Sequence, residues 1–376
     1  MSERVPGLRA DARIGLEIEV EGARYRACCG SDYLGLARDP RVIEAAQRAL
    51  TRYGLSPSAS RVTSGETREH RACEEALARF AGTADAVIVP IGFLAAQALV
   101  EALEGQHLWL LHRRAHAALE QAARQLVGAG RGSFGERWEH PDELRAVAAE
   151  LVDSRGRGAL ADAFFPASGI TLPLPEAHAA LGACGAPQHP LVIDEAHSFG
   201  VLGPGGRGLA AAAGLGERDQ VYAVGTLSKA VGAHGGFVSG SRELCAEIRA
   251  RAALYVGATP MPAAVAVAAR TAIEIALAEP ERRERVLALA ERMCAGLRAL
   301  GLEAPQPSFP VFSLSRGLDP QDAQRALRNA GYLAPISRYP GVPPGGALAI
   351  TLSAAHEERD VARLLEVLEG CRTLRS

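Results

Sequence analysis

Lys229 is the residue with the clearest chemical potential in this chain. The 376 residues include 41 lysines and arginines in total, and Lys229 is the only lysine among them. An arginine stays protonated and is a poor nucleophile, whereas a partly desolvated lysine amine loses its proton and attacks a carbonyl carbon to form a Schiff base. Because arginine serves every other generic positive charge, the composition predicts that Lys229 forms an imine.

The neighbours of Lys229 favour this interpretation over a chance lysine on a solvated surface. Residues 221–224 are an apolar run of the kind that forms a buried strand. Thr226 and Ser228 place hydroxyl groups beside the lysine, and Gly235 and Gly236 allow another segment to approach closely. These features are typical of a binding site.

Asp194 and His197 are a second pair of ionisable residues with suggestive spacing. An apolar strand, Leu191–Asp194, ends in the aspartate, and the histidine follows three residues later, before a glycine-rich turn. Ligands of α/β proteins bind at the carboxyl ends of the strands. Taken alone, the aspartate could cap a turn and the histidine could lie in the core. Together with Lys229 they indicate pyridoxal 5′-phosphate (PLP), since a carboxylate keeps its ring nitrogen protonated and an imidazole hydrogen-bonds its phenolic oxygen.

Gly92 and Phe93 are the candidate phosphate ligands. They follow an apolar strand at residues 86–90 and open a helix at residues 94–103. The first backbone N–H groups of a helix, together with its dipole, bind phosphate well. The alternative is an ordinary turn between a strand and a helix. Thr226 could add a hydroxyl group to the same phosphate site.

The elements that must position these residues alternate along the chain. Helical stretches separate short apolar segments at residues 86–90, 108–111, 161–165, 191–194 and 221–224. This alternation predicts a mostly parallel sheet covered by helices on both faces. We expect an N-terminal arm (1–50) that contributes to a small domain, a large PLP-binding α/β domain (51–260) and a small C-terminal α+β domain (261–376).

Composition narrows the class of protein further. The net charge of −2 and the scattered arginines predict no nucleic-acid partner. The seven cysteines lack CxxC spacing, so neither a zinc site nor a disulfide framework is indicated, and a reducing compartment is expected. The first residues lack the pattern of a signal peptide, and no apolar run reaches the roughly 18 residues needed to cross a bilayer. We therefore expect a cytoplasmic protein without a metal or a membrane partner.

A series of motifs resembles the α-oxoamine synthase family of fold type I PLP-dependent enzymes over nearly the whole chain. The motifs occur in family order and spacing, which makes the resemblance specific. They are Ser31-Asp-Tyr-Leu-Gly-Leu36, Ser60-Arg-Val-Thr-Ser-Gly65, Gly92-Phe93, Asp194-Glu-Ala-His-Ser-Phe-Gly-Val-Leu-Gly203, Gly225-Thr-Leu-Ser-Lys-Ala230 and Leu352-Ser-Ala-Ala-His356.

The resemblance implies a role for each candidate site residue. His116 matches the histidine that stacks on the cofactor ring, although by itself it would be an ordinary histidine at a helix start. The family also forms homodimers, in which a Ser-Thr segment of the neighbouring subunit contacts the phosphate; that segment is Gly257-Ala258 here, so Thr259 is a substitute candidate. The remaining implied roles are Lys229 as the Schiff-base lysine, Asp194 on the ring nitrogen, His197 on the phenolic oxygen, and Gly92, Phe93 and Thr226 near the phosphate.

Two departures from the family pattern concern the substrate carboxylate. The family normally has Asn where this chain has Ser31, and Arg where it has Ala349, and both residues help to hold the carboxylate of the amino acid. The family's Ser-Met-Asp-Gly-Asp segment is also changed, at residues 166–170. Either another arginine, such as Arg338 or Arg61, takes the carboxylate, or the amine substrate has none at that position.

The resemblance implies a PLP-dependent acyltransferase that condenses an amine or amino acid with an acyl thioester, either acyl-CoA or an acyl carrier protein. One alternative is a PLP enzyme of another reaction type, such as an aminotransferase or a decarboxylase-like enzyme. Another is a non-catalytic PLP-binding homologue, which the altered carboxylate positions favour. The intact set of Lys229, Asp194, His197 and His116 argues against the latter.

Overall fold

The computed structural model describes residues 9–103, 107–128, 130, 132–135, 137–150, 156–186, 188–339 and 341–372. The described chain divides into two compact units. The larger unit lies within Asp39–Phe165 and Thr171–Pro280. The smaller unit contains the described residues up to Arg38, Pro166–Ile170 and those from Glu281 onward.

The described residues form the following regular elements. The strands are β1 (Ala12–Ile14), β2 (Glu17–Val20), β3 (Ala23–Ala27), β4 (Asp85–Val89), β5 (His107–Leu111), β6 (Gly132–Phe134), β7 (Gly156–Asp162), β8 (Phe164–Phe165), β9 (Ile170–Thr171), β10 (Leu191–Asp194), β11 (Val221–Thr226), β12 (Gly236–Gly240), β13 (Val311–Leu314), β14 (Tyr332–Leu333), β15 (Ile336–Ser337) and β16 (Ala347–Thr351). The α-helices are α1 (Pro40–Tyr53), α2 (Arg68–Ala81), α3 (Ala95–Ala102), α4 (Ala117–Gly128), α5 (Pro141–Glu150), α6 (Leu174–Gly182), α7 (Leu209–Ala213), α8 (Arg242–Arg251), α9 (Ala253–Gly257), α10 (Ala263–Ala278), α11 (Glu281–Ala299), α12 (Pro320–Asn329) and α13 (Glu358–Gly370). Within the described ranges, no helix combines the length and the apolar character that a membrane span requires.

The division into units falls at residues 38 and 280, whereas the sequence predicted boundaries at 50 and 260. Helix α1 belongs to the larger unit because Ala45 and Ala49 pack against Ala264 and Val267 of α10. Small side chains at such a contact let the two helices approach closely. The helical region after residue 263 is broken at Pro280, so α10 and α11 belong to different units.

Seven strands of the described larger unit form one sheet in the order β4-β12-β11-β10-β7-β5-β6. Strand β12 is antiparallel to both of its neighbours, and the pairs from β11 to β6 are parallel. The mostly parallel sheet that the sequence predicted is thus confirmed. The sequence did not predict β12, whose two terminal residues are glycines.

Both faces of this sheet are covered by helices, as the apolar strand sequences require. Side chains alternate between the faces along each strand. In β10, Val192 packs with residues of α3, α4 and α8. Leu191 and Ile193 point to the opposite face and pack with residues of α5 and α6.

The smaller unit contains a three-stranded antiparallel sheet in the order β13-β16-β15. Leu348 and Ile350 of β16 pack with Met293 of α11 and Leu364 of α13 in one apolar core. Strands β1, β2 and β3 form a meander that pairs with β14. This is the α+β architecture expected for the small domain.

Candidate cofactor site

The candidate residues of the larger unit follow the carboxyl ends of its parallel strands. Asp194 ends β10, Lys229 follows β11 by three residues, and His116 lies between β5 and α4. Gly92 follows β4 in the same way. Because strands of equal direction end at the same edge of a sheet, this topology brings the four residues to one edge.

A tight turn at Lys229–Gly232, within the loop that connects β11 to β12, fixes the main chain around Lys229. The N–H of Gly232 donates to the carbonyl oxygen of Lys229 at 2.9 Å, and the N–H of Leu227 donates to that of Gly235 at 2.9 Å. Gly235 has a φ of 121°, a conformation that residues with a side chain rarely adopt, and a Cβ there would lie 3.2 Å from the carbonyl oxygen of Val89. Glycine is therefore favoured at the end of the loop that carries the lysine.

Burial makes the Lys229 amine more nucleophilic than an exposed lysine. Desolvation lowers the pKa of Lys229, while the carboxyl groups of Asp194 and Asp162 act in the opposite direction. The net direction is down, so a larger fraction of the amine is neutral near pH 7. A neutral amine is the form that attacks a carbonyl carbon.

The Asp194 carboxyl group is positioned to hold a cation. Its Oδ1 accepts a hydrogen bond from the N–H of Ala196 at 2.8 Å. Burial raises the pKa of Asp194, against the influence of Lys229, because an isolated charge is unfavourable there. A protonated ring nitrogen would supply the compensating positive charge, which is the role predicted for this residue.

Burial favours the uncharged form of both candidate histidines. It lowers the pKa of His197 and of His116; Asp194 opposes this effect at His116, and a protonated Lys229 adds to it at both residues. The Nδ1 of His116 accepts a hydrogen bond from the N–H of Ala118 at 3.1 Å, so the proton of the neutral ring is on Nε2. The His116 ring meets Phe93 edge to face, with centroids 6.1 Å apart. A neutral, fixed imidazole is suited to stacking on a cofactor ring.

The candidate phosphate site is a 3-10 turn, Gly92–Leu94, that leads into α3. The first N–H groups of such a turn have no partner within the helix and can bind an anion. A Cβ at Gly92 would lie 2.7 Å from the Oγ1 of Thr226, so only glycine allows this approach. Thr226 therefore lies close to this turn, and its role at the phosphate stays a prediction.

The hydroxyl of Thr226 is already engaged within the protein. It donates to the carbonyl oxygen of Gly235 at 2.9 Å and lies 2.8 Å from the Oγ of Ser228. The Ser228 side chain is exposed, so its hydroxyl is the freer donor of the two. Ser228 was expected to place a hydroxyl group beside Lys229, but it was not among the predicted cofactor ligands.

Arg61, one of the two candidate carboxylate ligands, is tied into a buried ion-pair network. Its Nη1 donates to the Oε1 of Glu74 at 2.6 Å and its Nη2 to the Oε1 of Glu66 at 2.7 Å. The guanidinium group also lies 4.7 Å from the ring centroid of Tyr255. Two carboxylates of the protein thus already occupy the terminal nitrogens of Arg61.

The other tentative substrate residues belong to the smaller unit. Ala349 lies opposite Ser313 on β13, while Ser31 hydrogen-bonds the phenol of Tyr33. Arg338 follows β15, and its Cγ is 3.7 Å from the position that a Cβ on Gly346 would take. Arg338 itself is an exposed residue just beyond this strand.

The residues at the edge of the large sheet match PLP group by group. A desolvated amine can react with the carbonyl carbon of PLP, and a buried carboxyl group can pair with its ring nitrogen. A neutral imidazole can stack on the ring of PLP, and the start of a helix can bind its phosphate. The missing side chain of Gly92 lets Thr226 lie against the start of this turn. The individual residue roles stay predictions.

Three comparisons identify the family. A family model described as aminotransferase class I and II matches residues 29–368. The 8-amino-7-oxononanoate synthase of Methylococcus capsulatus is 38% identical, in an alignment covering 93% of this chain and 90% of that protein.

Solved structures of PLP-dependent enzymes are also similar to this chain. A high-resolution structure of SPT with a PLP internal aldimine has a TM-score of 0.87 at 25% identity and covers 97% of this chain and 92% of that one. The serine palmitoyltransferase of Sphingomonas wittichii has a TM-score of 0.87 at 26% identity, and the match covers 98% of this chain and 92% of that one.

The chain therefore belongs to the class I and II aminotransferase family and, within it, to the α-oxoamine synthases, which are fold type I, PLP-dependent transferases. The predicted fold class, cofactor and enzyme class are confirmed, and the aminotransferase and non-catalytic alternatives are not favoured.

Proposed function

We propose that this α-oxoamine synthase joins the α-carbon of an amine or amino acid to the acyl carbon of an acyl thioester, and releases the thiol. The observation that carries the proposal is the Lys229 amine, desolvated and held by a tight turn at the sheet edge where Asp194 and two neutral imidazoles also lie. Relatives named 8-amino-7-oxononanoate synthase and serine palmitoyltransferase support the same reaction class.

Each residue of the site has a distinct task in this reaction. PLP supplies an electron sink that stabilises negative charge on the substrate α-carbon. The Lys229 Nζ would hold the cofactor and, once the amine substrate has entered, would accept the proton from its α-carbon. Asp194 would keep the ring nitrogen protonated, and His197 would donate a hydrogen bond to the phenolic oxygen. Gly92, Phe93 and the hydroxyl groups near them would hold the phosphate.

The amine substrate is proposed to lack a carboxylate at the position where relatives bind one. The family's arginine is replaced by Ala349, which lies opposite the uncharged Ser313. Arg61, one of the two candidate substitutes, is already paired with two carboxylates of the protein. A charged hydrogen bond is worth about 1.5–3 kcal/mol, so its loss weakens glycine or alanine binding by roughly ten- to hundredfold.

We also propose that the enzyme is a homodimer. Leu55, Val62, Ile91 and Val256 of the larger unit are exposed apolar side chains, and an obligate interface would bury such residues. Light scattering at micromolar concentration is expected to give twice the mass of the chain. A stable monomer would contradict the proposal.

The reaction class is tested by assays with and without an acyl thioester. Purified enzyme is incubated with a panel of amines and amino acids together with acyl-CoA or acyl carrier protein thioesters, and free thiol is measured. We expect thiol release that depends on both substrates and disappears in the Lys229→Ala variant. Transfer of an amino group to a keto acid, without any thiol release, would instead establish an aminotransferase.

A further inference from the structure

Asp162 is a buried carboxyl group that the sequence did not single out. It ends β7, and only 8% of the residue is exposed. In the parallel pairing of β7 with β10, Asp162 lies directly opposite Asp194. Two aspartates therefore end neighbouring strands at the same level.

The alternation of side chains places both aspartates on the same face of the sheet. Leu160 and Val192, which precede them by two residues, belong to the same apolar cluster, together with Leu119 of α4. Asp162 and Asp194 thus project on the side of the sheet where α4 packs. His116 immediately precedes this helix.

A hydrogen bond connects Asp162 to the histidine. Its Oδ2 accepts the backbone N–H of His116 at 2.8 Å. The imidazole is in turn held by the N–H of Ala118, which donates to its Nδ1 at 3.1 Å. One contact fixes the main chain of His116 and the other fixes its ring, so the position of the imidazole is determined at both ends.

The electrostatics of the site agree with a role beyond simple packing. Burial and the neighbouring Asp194 raise the pKa of Asp162, whereas Lys229 and the His116 N–H lower it. A carboxyl in this environment is costly unless it is hydrogen-bonded. Its oxygen accepts the His116 N–H in either charge state, so the contact persists when the group is protonated.

We propose that Asp162 is a positioning residue of the cofactor site, which sets the location of the His116 imidazole by holding the main chain of that histidine. Asp162 contributes no bond to the cofactor in this account. Its effect on PLP binding passes through His116. The proposal rests on the PLP cofactor of the family, and not on the identity of the amine or acyl substrate.

The test compares Asp162→Leu with Asp162→Asn in the full-length protein. Both replacements keep the branched shape of aspartate, but only the amide oxygen of asparagine still accepts the His116 N–H. The dissociation constant of PLP is measured by titrating apoprotein and following visible absorbance and circular dichroism. We expect Asp162→Leu to weaken PLP binding about tenfold or more, as the loss of a hydrogen bond to a carboxyl implies, and Asp162→Asn to stay within about threefold of wild type.

A double-mutant cycle with His116→Ala identifies the route of the effect. If Asp162 acts through the histidine, Asp162→Leu causes no further loss in the His116→Ala background. Asp319→Ala is a matched control, because Asp319 also accepts a backbone N–H at a helix start, that of Asp322 at 2.8 Å, in the smaller unit. It is expected to leave PLP affinity unchanged.

Three results would overturn the proposal. These are wild-type PLP affinity in Asp162→Leu, equal losses in Asp162→Leu and Asp162→Asn, and losses that multiply in the double variant. The second result would assign the effect to charge instead of the hydrogen bond. If Asp162→Leu does not fold, Asp162→Ala replaces it with the same expected outcomes.

Discussion

Replacing Arg61 by methionine separates a structural role from a substrate-binding role. The side chains of Arg61 and Glu74 are 3% and 2% exposed, and their ion pair spans 2.6 Å. Methionine fills much of the same volume but leaves the Glu74 carboxylate without this partner. Removing one partner of a buried pair costs about 3–5 kcal/mol. Because Arg71 and Arg249 also contact Glu74, we expect the lower end, about 3 kcal/mol.

The assay is urea unfolding of the PLP-loaded protein, followed by circular dichroism. Arg48→Met is the matched control, since Arg48 and Glu44 are 3.8 Å apart and their side chains are 73% and 64% exposed. An exposed pair contributes about 0–1 kcal/mol, so this variant should unfold almost as the wild type does. In contrast, the KM for the amine substrate should be the same in both variants and the wild type.

The opposite pattern would contradict a purely structural role for Arg61. If Arg61→Met changed the free energy of unfolding by less than about 1 kcal/mol and raised the KM for the amine, Arg61 would be accessible to substrate. The carboxylate ligand that the proposed function lacks would then be identified.

Three further predictions concern the cofactor, the pH dependence and the amine. Gly92→Ala places a Cβ 2.7 Å from the Thr226 Oγ1, and the resulting overpacking of about 1–3 kcal/mol should lower PLP affinity at least severalfold. Gly128→Ala is the control, because a Cβ at Gly128 meets open space and should leave PLP affinity unchanged. Equal PLP affinities in the two variants would contradict the proposed phosphate site. Burial lowers the pKa of His356 to about 4, below its unfolded value near 6.5, so its contribution to stability is present above pH 6.5 and lost as the pH falls towards 4. His356→Asn should therefore flatten the decline in unfolding free energy over this range, and an unchanged slope would contradict the prediction. Ala349→Arg should strengthen glycine and alanine binding in spectral titrations about tenfold or more, and no gain would count against the altered carboxylate position.

Local sequence determined several helix boundaries well. Helices α1 and α12 begin where short-range signals in the sequence indicate a helix start, because each has an aspartate cap followed by proline. Asp39 and Asp319 each accept a backbone N–H in the first turn. Such signals lie within a few neighbouring residues, so a single sequence contains all of the information.

Features that depend on distant residues were harder to predict. Strand β12 has a glycine-rich sequence with low strand propensity, and its pairing with β4 and β11 determines its conformation. The pairing of Arg61 with Glu74 joins two elements 13 residues apart. Asp162 fell inside a segment predicted as strand, and an aspartate after an apolar run, as at Asp194, was the signal that could have identified it.

Lys229 is proposed to be the residue that binds PLP covalently. Purified protein should be yellow, and borohydride should bleach the visible absorbance while fixing one cofactor to each chain. Because Lys229 is the only lysine, peptide mapping should find the modification on it, and Lys229→Ala should give neither colour nor label. Protein that stays colourless after incubation with PLP, or a label on any other residue, would contradict the account.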